Sequence, residues 1–226
     1  MKKIFLLLFS ILILINSYAD YNSGFEAYEK GEYKKALREW KPLAEAGNVD
    51  AQAMLGVMYW DGHGVLANEV ISAKWFTLAA KQGDSVSQNY IGVAYEQGLG
   101  VEKNYKTALK WYRLSAEKKN RYTDDQIQID SIFYLGNMYK NGYGVPINII
   151  FAHMWFNIAA SLGDKESSQI RDKLEINLDS NEISLAKKLA KKCILLNFKC
   201  TTLYEDINVE QVKKDTKDFE EIRSAQ

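Results

Sequence analysis

One phrase occurs three times in the chain and constrains everything else. It reads Leu55-Gly56-Val57-Met58-Tyr59-Trp60-Asp61-Gly62-His63-Gly64-Val65, returns as Ile91 to Val101, and returns again as Leu135 to Val145. Its first glycines, Gly56, Gly92 and Gly136, are 36 and then 44 residues apart. A period of this length points to stacked supersecondary units, none of which can bury its apolar face alone. Such stacks offer extended surfaces for partners and need no catalytic pocket.

Each unit reads as two antiparallel helices. Ala51, Ser87 and Ser131 sit four residues before Leu55, Ile91 and Leu135, and Tyr59, Tyr95 and Tyr139 sit four after. That spacing makes one helical face. A glycine inside a helix costs about 1 kcal/mol relative to Ala. Its recurrence at 56, 92 and 136 therefore predicts that another backbone packs closely there. Gly62, Gly98 and Gly142 are placed to stop the helices. Gly64, Gly100 and Gly144 tighten the turns. Asn68, Asn104 and Asn148 then stand where an N-cap is needed. Trp75, Trp111 and Trp155 follow, each 19 residues after its helix glycine, and are predicted to be core together with the three tyrosines. Gly83-Asp84 and Gly163-Asp164 close one unit and cap the next. A degenerate opening unit carries Ala36, Trp40, Ala44 and Gly47-Asn48, preceded by a helix from Tyr21 to Lys30.

The flanks differ in kind. Lys2 and Lys3 precede an apolar run, Ile4–Ile15, broken only by Ser10, and Ser17-Tyr18-Ala19 fits a small-x-small cleavage site. Residues 1–19 are expected to be a cleavable signal peptide, because the run is short for a membrane span. No later stretch is long and apolar enough to span, so the expected product is periplasmic or secreted. Cys193 and Cys200 are the two cysteines. In an oxidising compartment they are expected to pair, and two unpaired thiols are the alternative. Continuous helix would separate their Cα atoms by about 10 Å, too far for a disulfide, so the helix must stop between them; Asn197 is the expected stop. Residues 201–226 form a polar tail with seven acids and four bases. The whole chain balances 29 basic against 29 acidic residues, which gives no electrostatic case for nucleic acid.

These motifs resemble the Sel1-like repeat family, whose units read A-x-x-x-L-G-x-x-Y-x-x-G-x-G-V followed by a tryptophan helix and a closing glycine. The likeness covers residues 21–170. It implies an all-α fold, an α/α superhelix (solenoid) of helix-turn-helix repeats, with a capping helix begun by Asp179 and Glu182. The expected organisation is a half-repeat over 20–48, repeats over 49–84, 85–130 and 131–164, capping helices over 165–200 and the tail. The second repeat carries an eight-residue insertion within Lys118 to Asp130, and Arg171 stands where Leu is expected. Asn replaces the family's usual Asp at 68, 104 and 148, keeping the cap but losing the charge that favours a helix N-terminus.

Candidate chemistry is sparse. His63 fills the variable place of a Gly-x-Gly turn and is expected to face solvent; His153 takes a position held by Ala73 and Leu109 and is expected to pack. Two histidines without a third ligand predict no metal site, and no cofactor motif is present. The Gly-x-Gly-Val phrase follows a helix and so fails as a nucleotide fingerprint. What changes between units is more informative. Ala53, Asn89 and Phe133 share one first-helix position, Val57, Val93 and Asn137 a second, and Trp60, Glu96 and Lys140 a third. The spacing i, i+4, i+7 makes them one stripe. In superhelices of this resemblance the first helices line the concave surface. Trp60, Asn89, Glu96, Phe133, Asn137 and Lys140 are therefore the candidate contacts for a protein or peptide partner. The expected role is a monomeric, non-catalytic adaptor of the bacterial envelope. The alternative, implied by cysteine-rich relatives linked to β-lactams, is a cell-wall ligand binder or β-lactam hydrolase; those relatives carry cysteine pairs in every repeat.

Overall fold

A computed structural model describes residues 21–117, 126–196 and 198. All assigned secondary structure among them is helical, and the fold is an α/α solenoid. The signal-peptide region, Asn197, Cys200, the tail and most of the insertion lie outside the described residues. Two compact units divide at Lys103 and Asn104.

The first unit holds α1 (helical over residues 21–29), α2 (Tyr33–Glu45), α3 (Val49–Asp61), α4 (Glu69–Lys81) and α5 (Ser85–Gln97). There α2 packs on α3, α3 on α4 and α4 on α5. The second unit holds α6 (Tyr105–Ala116), α7 (Gln126–Asn141), α8 (Ile149–Ser161), α9 (Lys165–Glu175) and α10 (Ser180–Leu195). There α7 joins α6 to α8, and both α9 and α10 pack on α8. Part of the insertion is helix, since α7 starts three residues before Ile129, the counterpart of Val49 and Ser85.

The helices begin and end where short-range chemistry places them. Side-chain oxygens of Asn48, Asn68, Asp84, Asn104, Asn148 and Asp164 each accept from the backbone N–H three residues on. Asp179 and Glu182 form a reciprocal capping box at α10. Replacing Asn104 by Ala removes the acceptor for the Thr107 N–H at 2.9 Å. That change is expected to cost about 1 kcal/mol, read from the urea midpoint.

The core differs from the expectation in one instructive way. Trp155 is buried, but Trp75 and Trp111 are only half-buried, as are Tyr59 and Tyr95. A fully buried aromatic stands at the next residue along each second helix, Phe76, Tyr112 and Phe156, with Trp40 as its counterpart in α2. Within each unit, Phe76 and Phe156 of this column face the helix glycines Gly56 and Gly136. A Cβ on Gly56 would lie 2.5 Å from Phe76 Cδ1, and one on Gly136 2.8 Å from Phe156 Cε1. These two helix glycines therefore make room for an aromatic ring, not for a backbone as expected. The Phe76 ring also stacks on Tyr90 of α5 at 4.6 Å, and Tyr112 stacks on Tyr134 of α7 at 4.8 Å. In the first unit the Phe76 ring is thus held between the first helices α3 and α5, which keys one hairpin to the next.

Close backbone approach occurs instead at the second turn glycine. Gly144 has φ +74°, and a Cβ there would lie 2.7 Å from Tyr105 C and O, where α6 begins. Gly64 meets Tyr33 and Lys34 at the start of α2 in the same way. Each Gly-x-Gly turn thus rests on the first turn of the preceding second helix.

Candidate functional site

The first-helix stripe divides between the two units. In the first, Trp60 is half-buried and lies edge-on to Phe76 at 6.3 Å and to Tyr90 at 5.6 Å. Glu96 is half-buried on α5. Asn89 is only 6% exposed and so offers little surface to a partner. In the second unit, Phe133, Asn137 and Lys140 are all half-buried on α7. Phe133 lies edge-on to Tyr134 and Phe156 at 5.9 and 5.8 Å. The Lys140 ammonium sits 5.8 Å above the Phe156 ring, a cation–π arrangement. Trp60 and Lys140 occupy equivalent positions, and each covers the buried phenylalanine of its own hairpin. The buried ring beneath the stripe is thus phenylalanine in both hairpins, while the group presented above it changes from aromatic to cationic.

Sequence reasoning missed a set of buried glutamines that serve the scaffold. Gln52 Nε2 donates to Ala44 O at 3.0 Å, Gln88 to Ala80 O at 3.1 Å and Gln128 to Ala116 O at 2.6 Å. Each donates to a carbonyl near the C-terminus of the preceding helix, where i+4 donors run out, and Ala44 O and Ala80 O also accept from the Gly47 and Gly83 N–H groups. The acceptors recur every 36 residues and could have been read from the alanines. The donors could not, because Gln52 and Gln88 stand four residues before their helix glycines and Gln128 stands eight before Gly136.

The histidines are more engaged than expected. His63 does not project into solvent. Its ring stacks on Tyr33 at 4.4 Å and nearly parallel, and its Nδ1 is 2.8 Å from Tyr28 Oη. Tyr143, its counterpart, stacks on Tyr105 at 4.5 Å. The middle residue of the turn is thus a plug over the preceding helix. The Tyr28 hydroxyl is pushed above its usual pKa, first by burial and then by the nearby Asp61 carboxylate. His153 is fully buried on α8, with Nε2 2.9 Å from Glu175 Oε1. Burial holds its pKa below the usual histidine value, against the opposing pull of Glu175. The Glu175 carboxyl is held below its usual range by hydrogen bonds from His153 and Lys187.

Among the described residues no group of three or more His, Cys, Asp or Glu is placed to hold a metal ion. No described helix is long and apolar enough to cross a membrane. Cys193 is fully buried on α10. The helix does stop beyond it: Phe198 takes φ +63° and its N–H donates to Cys193 O at 3.0 Å. The expected partner, Cys200, lies outside the described residues.

Comparison with known proteins fits this architecture. The Sel1 repeat family model matches residues 49–84, 85–120 and 129–164. No match is found among curated proteins. Among solved structures, a Sel1 repeat protein from Oxalobacter formigenes superposes with a TM-score of 0.60 at 24% identity, covering 85% of this chain and 88% of that one. A second is c5321, a protective antigen present in uropathogenic Escherichia coli strains that displays an SLR fold. It superposes with a TM-score of 0.53 at 23% identity, covering 85% of this chain but 49% of the other. At these identities both establish the shared fold.

Proposed function

Because this chain belongs to the Sel1-repeat family, we propose that it is a non-catalytic scaffold of the bacterial envelope, binding a protein or extended peptide. The binding face is the first-helix stripe, which the resemblance assigns to the concave side. The observation that carries this reading is the contrast between layers. Phe76 and Phe156 are locked against Gly56 and Gly136, while Trp60, Phe133 and Lys140 change the chemistry presented above them. Aromatic anchors held on a rigid base lose little entropy on binding and dominate protein interfaces.

The basic and apolar N-terminal residues support export, with cleavage after Ala19. In that compartment Cys193 and Cys200 pair and tie the chain beyond α10 back to its helix. Crosslinking in the native envelope followed by identification of the captured chain tests the role. One discrete partner is the expected result, and recovery of abundant background alone contradicts it. Turnover of a chromogenic β-lactam by the pure protein would replace this reading with an enzymatic one.

A further inference from the structure

His153 has no counterpart in the other hairpins, where Ala73 and Leu109 fill its position with apolar groups. It is fully buried, yet it is a titratable group on the helix that carries both closing helices. Glu175 of α9 lies 2.9 Å from its Nε2, and the same carboxylate oxygen lies 3.0 Å from Lys187 Nζ of α10. One carboxylate thus joins α8, α9 and α10. The other imidazole nitrogen, Nδ1, is buried and has no hydrogen-bond partner among the described residues.

We propose that the His153–Glu175–Lys187 chain is an acid-operated latch, which holds α9 and α10 on α8 near neutral pH and loosens them as pH falls. A carboxylate can only accept, so the neutral imidazole carries its proton on Nε2 and donates it to Glu175. Acidification must then add a proton at Nδ1. That creates a cationic N–H sealed from water without an acceptor, which is costly. Lys187 and Arg171 add like-charge repulsion, while Glu175 opposes them. The ionisable groups of α7 are engaged elsewhere. Asp130 accepts from Gln126, Tyr134 stacks on Tyr112, Tyr139 accepts from Arg113, and Lys140 lies over Phe156. Once α9 and α10 detach, water can hydrate the imidazolium freely. The opened state therefore binds the proton more readily than the closed one.

The direction follows from linkage. A histidine whose pKa is lowered by folding contributes stability that is lost as pH falls below the unfolded value of about 6.5 toward the folded one. Glu175 acts in the same sense at lower pH, because its pKa is also held down in the closed state. Hydrogen exchange on the full chain at pH 7.5 and pH 5.5, expressed as protection factors corrected for intrinsic rates, tests the latch. Protection of α9 and α10 is expected to fall up to roughly tenfold per pH unit below about 6.5, while α3 to α5 change little. His153→Leu, which restores the residue type of Leu109, is expected to remove the difference. His153→Gln, which keeps a donor toward Glu175 but cannot titrate, is expected to do the same. If α9 and α10 lose no more protection than α3 to α5 in the wild-type chain, or if their loss persists in either variant, the latch is wrong.

Discussion

Phe76→Ala is expected to destabilise the first unit by about 3–5 kcal/mol, the usual range for removing a fully buried phenylalanine. The ring has no exposed surface, stacks on Tyr90 and faces Gly56. Its loss would leave α3, α4 and α5 with an unfilled gap. The reciprocal change separates this account from generic core packing. Gly56→Ala gains about 1 kcal/mol of helix propensity. It also places a methyl 2.5 Å from Phe76 Cδ1 and 2.9 Å from Cγ. Because Tyr90 blocks the ring's retreat, overpacking of about 1–3 kcal/mol should win. In a Phe76→Leu background the obstruction is relieved, and Gly56→Ala is expected to become neutral or stabilising. A double-mutant cycle by urea unfolding reads that coupling directly.

The second large effect belongs to the turns. Gly144→Ala and Gly163→Ala both force an L side chain to positive φ, at +74° and +104°. That conformational cost alone is roughly 1–2 kcal/mol. Around Gly163 a Cβ meets nothing within 4 Å, so its variant should lose little more. At Gly144 the methyl would lie 2.7 Å from Tyr105 C and 2.9 Å from Lys106 N. Backbone cannot rotate away as a side chain can, so α6 and the turn must separate. A total loss of about 3 kcal/mol or more is expected for Gly144→Ala. Equal losses in the two variants would show that the turn does not rest on the helix before it.

These pairs show what a single chain discloses and what it conceals. Helix number, hairpin pairing and N-caps were legible, because glycine periodicity and Asn or Asp at fixed offsets act over a few residues. The inward aromatic was not. Trp75, Trp111 and Trp155 attract the eye by constant identity, but the buried column holds Trp, Phe, Tyr and Phe at 40, 76, 112 and 156. Constant class outweighed constant identity, and Trp40 was the clue, since it aligns with Phe76. The partner of the helix glycine was also hidden. A tolerated cost at Gly56 implies crowding, but periodicity cannot tell a ring from a backbone. His63 was misjudged because its contacts, Tyr28 and Tyr33, belong to the opening unit rather than its own hairpin. On the stripe, spacing put Asn89 beside Glu96, yet a face wide enough to include both extends into the interface between helices.

The central claim is that constant positions hold the scaffold and variable first-helix positions bind. Its most direct test is capture of the crosslinked partner by Glu96→Arg and Lys140→Glu proteins, alongside their unfolding midpoints. The account predicts midpoints within about 1 kcal/mol of wild type, as for partly exposed charges, together with loss of capture. Retained capture in both variants, with the fold intact, would contradict it.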